Sequence, residues 1–237
     1  MKLSDLLLNY RTDKNIGAVE KGKGHLYGRA YDEIFSWFDC TSRLNILEIG
    51  VHKGGSLRAW KDFCPNSTVT GVDIVDVREK EYISDDIRFV LSDIKDVDVE
   101  KDIGTAGFDV IIDDGSHQIE DVFFVVRNYL GRLNIDGVMV IEDVQVPIKW
   151  MALVLWDIIN YKNGCFKLQY RDMRKAGLYD DFLIVIKRKN NSTFNKAMFF
   201  VRNLLVGLFL TMIDLNKREE RKRIIGKIKR LARKSEC

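Results

Sequence analysis

Two acidic pairs stand where apolar strands should end, in Ile111-Ile112-Asp113-Asp114-Gly115-Ser116-His117 and in Val140-Ile141-Glu142-Asp143. Carboxylates are costly to bury unpaired, so a chain that places four of them after strand-like runs is expected to collect them at one sheet edge, where open α/β folds bind ligands. If the two strands are parallel neighbours, Asp114, Glu142 and Asp143 converge from well-separated positions in the chain. Like charges gathered this way are relieved by a shared proton or by a hard cation such as Mg2+, which takes oxygen ligands and keeps several waters. The cation suits three carboxylates better. Simple capping of strand ends or helix starts is the plainer role, and it fits Asp113 or Asp143 taken singly.

Apolar runs of strand length recur at 45–49, 68–73, 87–91, 109–112, 137–141, 166–170 and 182–187. Helical spacing separates the early ones, at 56–63 and 120–133, so the pattern is that of a Rossmann-like α/β fold with a doubly wound, seven-stranded, mostly parallel sheet. The last two runs are joined by a polar turn without a helix, which predicts an antiparallel closing strand. A chain of 237 residues with 46% hydrophobic content suits one such domain over 41–190, a helical lead-in over 1–40 and an appendage over 191–237. Cys40, Cys64, Cys165 and Cys237 lie far apart with no CxxC pair, so reduced thiols and a cytoplasmic setting are expected. Residues 1–10 hold only a brief Leu6-Leu7-Leu8 run, short of an export signal.

The first strand runs into Glu48-Ile49-Gly50-Val51-His52-Lys53-Gly54-Gly55-Ser56, where glycines let backbone approach a ligand and a following helix offers free N–H groups. The spacing departs from the dinucleotide GxGxxG, which favours an amino-acid carboxylate and a ribose over a phosphate cradle. Asp73 ends the second run, at the distance beyond Gly50 where an acid accepts ribose hydroxyls. Ser92-Asp93 follows the third run, beside an adenine ring or as a helix cap.

In order, the elements ExGxxxGGS, GVD, SD, DDGSH and IED resemble the class I S-adenosylmethionine-dependent methyltransferases, in particular the metal-dependent macrolide-sugar (mycinamicin-type) and glycan O-methyltransferases. The likeness spans about residues 10–187, and Thr12-Asp13-Lys14 with His25, Tyr27 and Tyr31 resembles that family's N-terminal signature. A stretch at 17–24 separates the two parts of this signature. The resemblance implies that Asp114, Glu142 and Asp143 ligate Mg2+ or another divalent cation, and that Glu48, Gly50, Gly54, Asp73, Asp93 and Asp113 line the S-adenosylmethionine site. It also implies that His117 is the base beside Asp114; the alternatives are a turn histidine at 117 or His25 as base, with His52 facing solvent. Trp150 and Trp156, within 144–160, roof the acceptor pocket or pack in the core. The expected activity is methylation of a sugar hydroxyl on a glycan, glycolipid or sugar-containing metabolite. The alternatives are a catechol-like acceptor, which offers the same paired oxygens, or a cofactor-binding protein without turnover at a membrane.

The end of the chain changes character. Residues 197–213 are nearly all apolar, and 217–237 carry ten Lys/Arg against three Glu, which leaves the rest of the chain net acidic. An in-plane apolar helix followed by a polybasic segment, with Ile224, Ile225, Ile228 and Leu231 at helical spacing, suits an anionic membrane surface at the inner face. A dimerisation helix, giving a homo-oligomer, is the other reading. Neither basic-aromatic interleaving nor a recognition motif supports nucleic acid.

Overall fold

The computed structural model describes residues 1–15, 24–96, 99–161, 165–175 and 178–190. The apolar runs form β1 (Asn45–Ile49), β2 (Thr68–Asp73), β3 (Ile87–Leu91), β4 (Phe108–Asp113), β5 (Leu133–Ile141), β6 (Cys165–Asp172) and β7 (Phe182–Lys189). They make one sheet in the order β3-β2-β1-β4-β5-β7-β6. Strands β1 to β5 are parallel, and β7 runs antiparallel to both β5 and β6. The chain winds outward from β1 to β3 and then returns to β4 on the other side of β1, so the switch point lies between β1 and β4. Ligand sites form at such a reversal. Gly50, Asp113 and Asp114 stand on it.

Helices α1 (Leu3–Asn9), α2 (Gly28–Phe35) and α3 (Gly55–Phe63) cover one face, while α4 (Val99–Ile103), α5 (Ile119–Tyr129) and α6 (Pro147–Asn160) belong to the other. Side chains alternate across a strand. Ile46, Val110, Ile112 and Val140 therefore meet Leu3, Leu7, Tyr31, Phe35 and Trp60, whereas Leu47, Ile111 and Met139 meet Val125, Val126, Trp150 and Val154. Strands buried on both faces explain the unbroken Val/Ile/Leu runs. The lead-in helices share a core with the sheet. Leu3, Leu7, Tyr31 and Ile34 are as deeply buried as the central strand residues, while Leu8 faces outward.

Two local expectations are made more definite and one is corrected. The helical spacing over 120–133 yields a helix that stops at Tyr129 and a 3-10 turn over Leu130–Arg132, because β5 already starts at Leu133. The 144–160 stretch becomes a helix from Pro147, a residue suited to a first turn that lacks N–H partners. Trp150 is core in α6, and Trp156 is 40% exposed on its outer side. The expectation of reduced, separate thiols is corrected: Cys40 and Cys64 are disulfide-bonded, because the chain beyond α2 and the end of α3 bring their Cα atoms to 4.5 Å despite a sequence separation of 24. Cys165 is free, and Cys237 lies outside the described residues. So do the stretch at 16–23 and the expected C-terminal amphipathic helices of 191–237. Among the described residues, no helix is long and apolar enough to cross a membrane.

Gly50 has φ +83°, and a Cβ placed there would stand 2.0 Å from the Asp114 carbonyl oxygen. Both the left-handed backbone and the β1–β4 approach therefore require glycine. Gly50→Ala is expected to cost about 2–5 kcal/mol in chemical denaturation; a loss below about 1 kcal/mol would show that this edge yields easily.

Candidate active site

The carboxyl ends of the parallel strands open onto a cavity of about 570 Å³ whose lining includes Gly50, Asp73, Asp93, Asp113, Asp114, His117 and Asp143. Asp73 Oδ2 accepts the N–H groups of Val51 (2.8 Å) and His52 (3.0 Å), and its Oδ1 accepts that of Val75 (3.2 Å). A carboxylate offers about four lone-pair sites, so capacity remains for a ligand hydroxyl. Asp93 Oδ1 caps the turn through the Lys95 N–H (2.9 Å) while still facing the cavity. His52, expected as a solvent-facing loop residue, is exposed but lines the same cavity.

Two residues selected from sequence lie elsewhere. Glu48 is fully buried behind the cavity, where its Oε2 accepts from Ser56 Oγ and Trp60 Nε1, both at 2.9 Å. Gly54 is the left-handed N-cap of α3, and its Cα faces Arg78 and Tyr82. Neither is among the residues that line the cavity.

The parallel ladder sets Asp113 opposite Ile141, and the Glu142 N–H donates to the Asp113 carbonyl (3.0 Å), so the acidic pairs of β4 and β5 lie side by side. Ligand atoms of Asp114, His117 and Asp143 come within 4.8 Å of one another. His117 Nε2 stands 3.9 Å from Asp114 Oδ1 and 3.6 Å from Asp143 Oδ2. Both His117 and Asp143 have φ +52°, an uncommon conformation for residues with a Cβ. Such strain of about 1–3 kcal/mol concentrates at functional sites. The two carboxylates face open space and could hold a divalent cation with the imidazole free beside them; the oxygens suit Mg2+, with water completing its shell.

Glu142 points inward, 2% exposed, with Oε1 held by Tyr31 Oη and 3.1 Å from Lys14 Nζ. It does not belong to the group of converging ligand atoms. Lys14 itself is 1% exposed, hydrogen-bonded to Asp114 Oδ2 and 3.4 Å from Glu48 Oε1. The lead-in supplies three more partners. Tyr27 Oη donates to Asp143 Oδ1 (2.5 Å), Tyr31 reaches Glu142, and His25 Nδ1 lies 2.7 Å from Asp181 Oδ1 and 3.4 Å from Asp143 Oδ1. Asp181 is fully buried and belongs to none of the motifs picked out from sequence; its only signal is an acidic pair, Asp180-Asp181, ahead of β7.

Burial opposes the charge of Lys14, but Asp114, Glu142 and Glu48 outweigh that penalty and hold its pKa well above the ordinary value. Burial, followed by the charge of Asp114, pushes Glu142 well up, and burial pushes Asp114 up against the pull of Lys14. Glu48 is raised to about 7 by burial, with Lys14 opposing. Asp113 is raised to about 7 by burial, and its Oδ2 is buried without a hydrogen-bond partner. Burial and nearby carboxylates keep Tyr27 and Tyr31 as neutral donors.

Residues 47–144 match a family model described as a methyltransferase domain. The 8-demethyl-8-alpha-L-rhamnosyl tetracenomycin-C 2'-O-methyltransferase of Streptomyces olivaceus is 34% identical over 137 residues, covering 54% of this chain and 35% of that protein. The mycinamicin VI 2''-O-methyltransferase of Micromonospora griseorubida is 33% identical over 150 residues, covering 60% and 35%. The solved structure of the MycE methyltransferase from the mycinamycin biosynthetic pathway, in complex with Mg and SAH, aligns with TM-score 0.61 at 25% identity, over 81% of this chain and 56% of that one. The chain thus spans about a third of the length of these curated relatives. Residues 47–144 are thus similar to a methyltransferase domain, and the fold that carries them is similar to that of the MycE methyltransferase.

Proposed function

We propose that this protein transfers a methyl group from S-adenosylmethionine to a sugar hydroxyl, with a divalent cation, Mg2+ by its oxygen donors, at Asp114 and Asp143. The observation that carries this reading is the convergence of Asp114, His117 and Asp143 at one end of a cavity whose other end is walled by Asp73 and Asp93. The cofactor fits the residues present. Apolar walls at Val72 and Ile94 suit an adenine, Asp73 retains acceptor capacity for a ribose, and the orphaned Asp113 Oδ2 suits a cationic methionine end. Gly50 lets the backbone approach that end closely. The sugar acceptor follows the names of the relatives, a 2'-O-methyltransferase of a rhamnosyl tetracenomycin and a 2''-O-methyltransferase of mycinamicin VI.

Methyl transfer breaks the carbon–sulfur bond as the acceptor oxygen forms its bond to the same carbon in line, and the hydroxyl proton must leave. Asp114 and Asp143 fix the acceptor end of the cavity. A bound Mg2+ would supply positive charge that makes a neighbouring hydroxyl more acidic. His117, with its imidazole 30% exposed and aimed between the two carboxylates, takes the proton. Glu142, the third metal ligand expected from sequence, is held by Tyr31 and is joined to Asp114 through Lys14.

His117→Gly should lower turnover by about 100-fold or more. It should also leave the protein as stable or about 1 kcal/mol more stable, since glycine accepts φ +52° without strain. Turnover near wild type in this variant would remove His117 as base. Chelator should abolish transfer to sugar acceptors and Mg2+ should restore it, and the same assay on catechols separates the two acceptor classes.

Asp113 gives a pH signature. Its pKa in the folded state is raised from 3.8 to about 7, so the folded state holds the proton more tightly. Its contribution to stability is present at low pH and is lost as pH rises from about 4 through about 7, by about 2–4 kcal/mol. In the ligand-free protein, Asp113→Asn should make the decline shallower, leaving the part that Glu48, also raised to about 7, contributes, as read by urea denaturation at pH 5 and pH 8. An unchanged slope would place the titrating group elsewhere.

For the tail, residues 197–234 lie outside the described residues, and we propose an in-plane anchor to anionic lipid at the cytoplasmic face of the membrane. Co-sedimentation with acidic liposomes should retain the full chain and not a 1–190 chain. Equal partitioning rejects the anchor.

A further inference from the structure

The lead-in delivers one fully buried cation to the acidic cluster, a contact that proton transfer at His117 and methyl transfer do not require. We propose that Lys14 is a positioning residue that assembles the cation site: by holding Glu48, Asp114 and Glu142 together it turns the second oxygen of Asp114 toward Asp143 and the divalent ion. This rests on the reading that Asp114 and Asp143 hold that ion.

The carboxylates on Lys14 come from three strand ends, Glu48 from β1, Asp114 after β4 and Glu142 after β5. Without a cation between them, three adjoining like charges, with Glu48 and Glu142 buried, separate or neutralise, and the strand ends lose the geometry they share. The two oxygens of Asp114 are divided by this contact. Oδ2 accepts from Lys14, and Oδ1 is left on the side of His117 and Asp143. Glu142 is fixed the same way, its Oε1 shared by Lys14 and Tyr31, which holds it out of the converging ligand group. A buried ammonium surrounded by three partners is costly to remove from one side only, since each partner is left uncompensated. Lys14 arrives from the segment before α2, and the Tyr27 N–H donates to the Lys14 carbonyl (3.0 Å), so backbone as well as side chain fixes its place. The result is a coupling in which the cation site is complete only when the lead-in is seated.

Positioning and simple charge balance make opposite forecasts. If Lys14 only lowered the local negative charge, its loss would tighten binding of a divalent cation. If it orients Asp114, its loss weakens binding. The test is direct Mn2+ binding to the full-length protein, followed by electron paramagnetic resonance, for wild type, Lys14→Met and the charge-balanced Lys14→Met/Glu48→Gln. Thermal unfolding and the affinity for S-adenosylhomocysteine are measured alongside. The double variant removes one buried charge of each sign and should recover most of any melting-temperature loss seen in Lys14→Met. Mn2+ affinity should nevertheless stay at least tenfold below wild type in both, with S-adenosylhomocysteine affinity of Lys14→Met within about twofold. Mn2+ binding as tight as wild type in either folded variant overturns the positioning role and leaves the methyltransfer reading intact. A wild-type protein that binds S-adenosylhomocysteine but no Mn2+ overturns both.

Discussion

The structure depends on compensating negative charge at one buried sheet edge. A parallel sheet that switches direction between β1 and β4 brings Glu48, Asp113, Asp114, Glu142 and Asp143 to neighbouring strand ends, with Glu48, Asp113 and Glu142 buried. An apolar interior cannot hold that many carboxylates unaided. Compensation comes in layers. Behind the cavity, Lys14, Ser56, Trp60 and Tyr31 serve Glu48 and Glu142, and toward the cavity Tyr27, His25 and His117 surround Asp143.

That layering explains why the lead-in is part of the candidate site and not an ornament on it. The same segment that fills the core with Leu3, Leu7, Ile34 and Phe35 also carries Lys14, His25, Tyr27 and Tyr31 to the acidic edge. Packing and electrostatics are therefore coupled: a lead-in seated by apolar contacts sets the hydrogen bonds of the site. The left-handed backbones of His117 and Asp143 add strain that the surrounding bonds must outweigh, as expected where side chains are aimed for chemistry.

Much of this was legible in the chain. Seven apolar runs with helical spacing between the early ones specify the sheet and its closing antiparallel strand, because side-chain periodicity follows directly from backbone geometry. The cavity residues Gly50, Asp73, Asp93, Asp113, Asp114, His117 and Asp143 stand at strand ends, where turn chemistry marks them. Contacts across long separations left no such mark. Lys14 is far in sequence from Asp114, His25 is farther still from Asp181, and Cys40 meets Cys64 only because the chain beyond α2 returns to the end of α3. Periodicity fixes which face a residue takes, and only tertiary packing fixes which charge it meets. Glu48 shows the same limit: the family resemblance implied a place in the cofactor cavity, yet the side chain turns toward Ser56 and Trp60 on the face covered by α3.

The proposed chemistry turns on one divalent cation between Asp114 and Asp143, beside the cavity proposed for S-adenosylmethionine. A crystal of the full chain grown with Mn2+ and S-adenosylhomocysteine, and measured for anomalous scattering, tests it most directly. A single strong peak is expected within coordination distance of Asp114 Oδ1 and Asp143, with His117 alongside and the ligand's sulfur facing it across the cavity. A peak elsewhere, or a fully bound nucleoside with Asp114 and Asp143 contacting only protein, would contradict it.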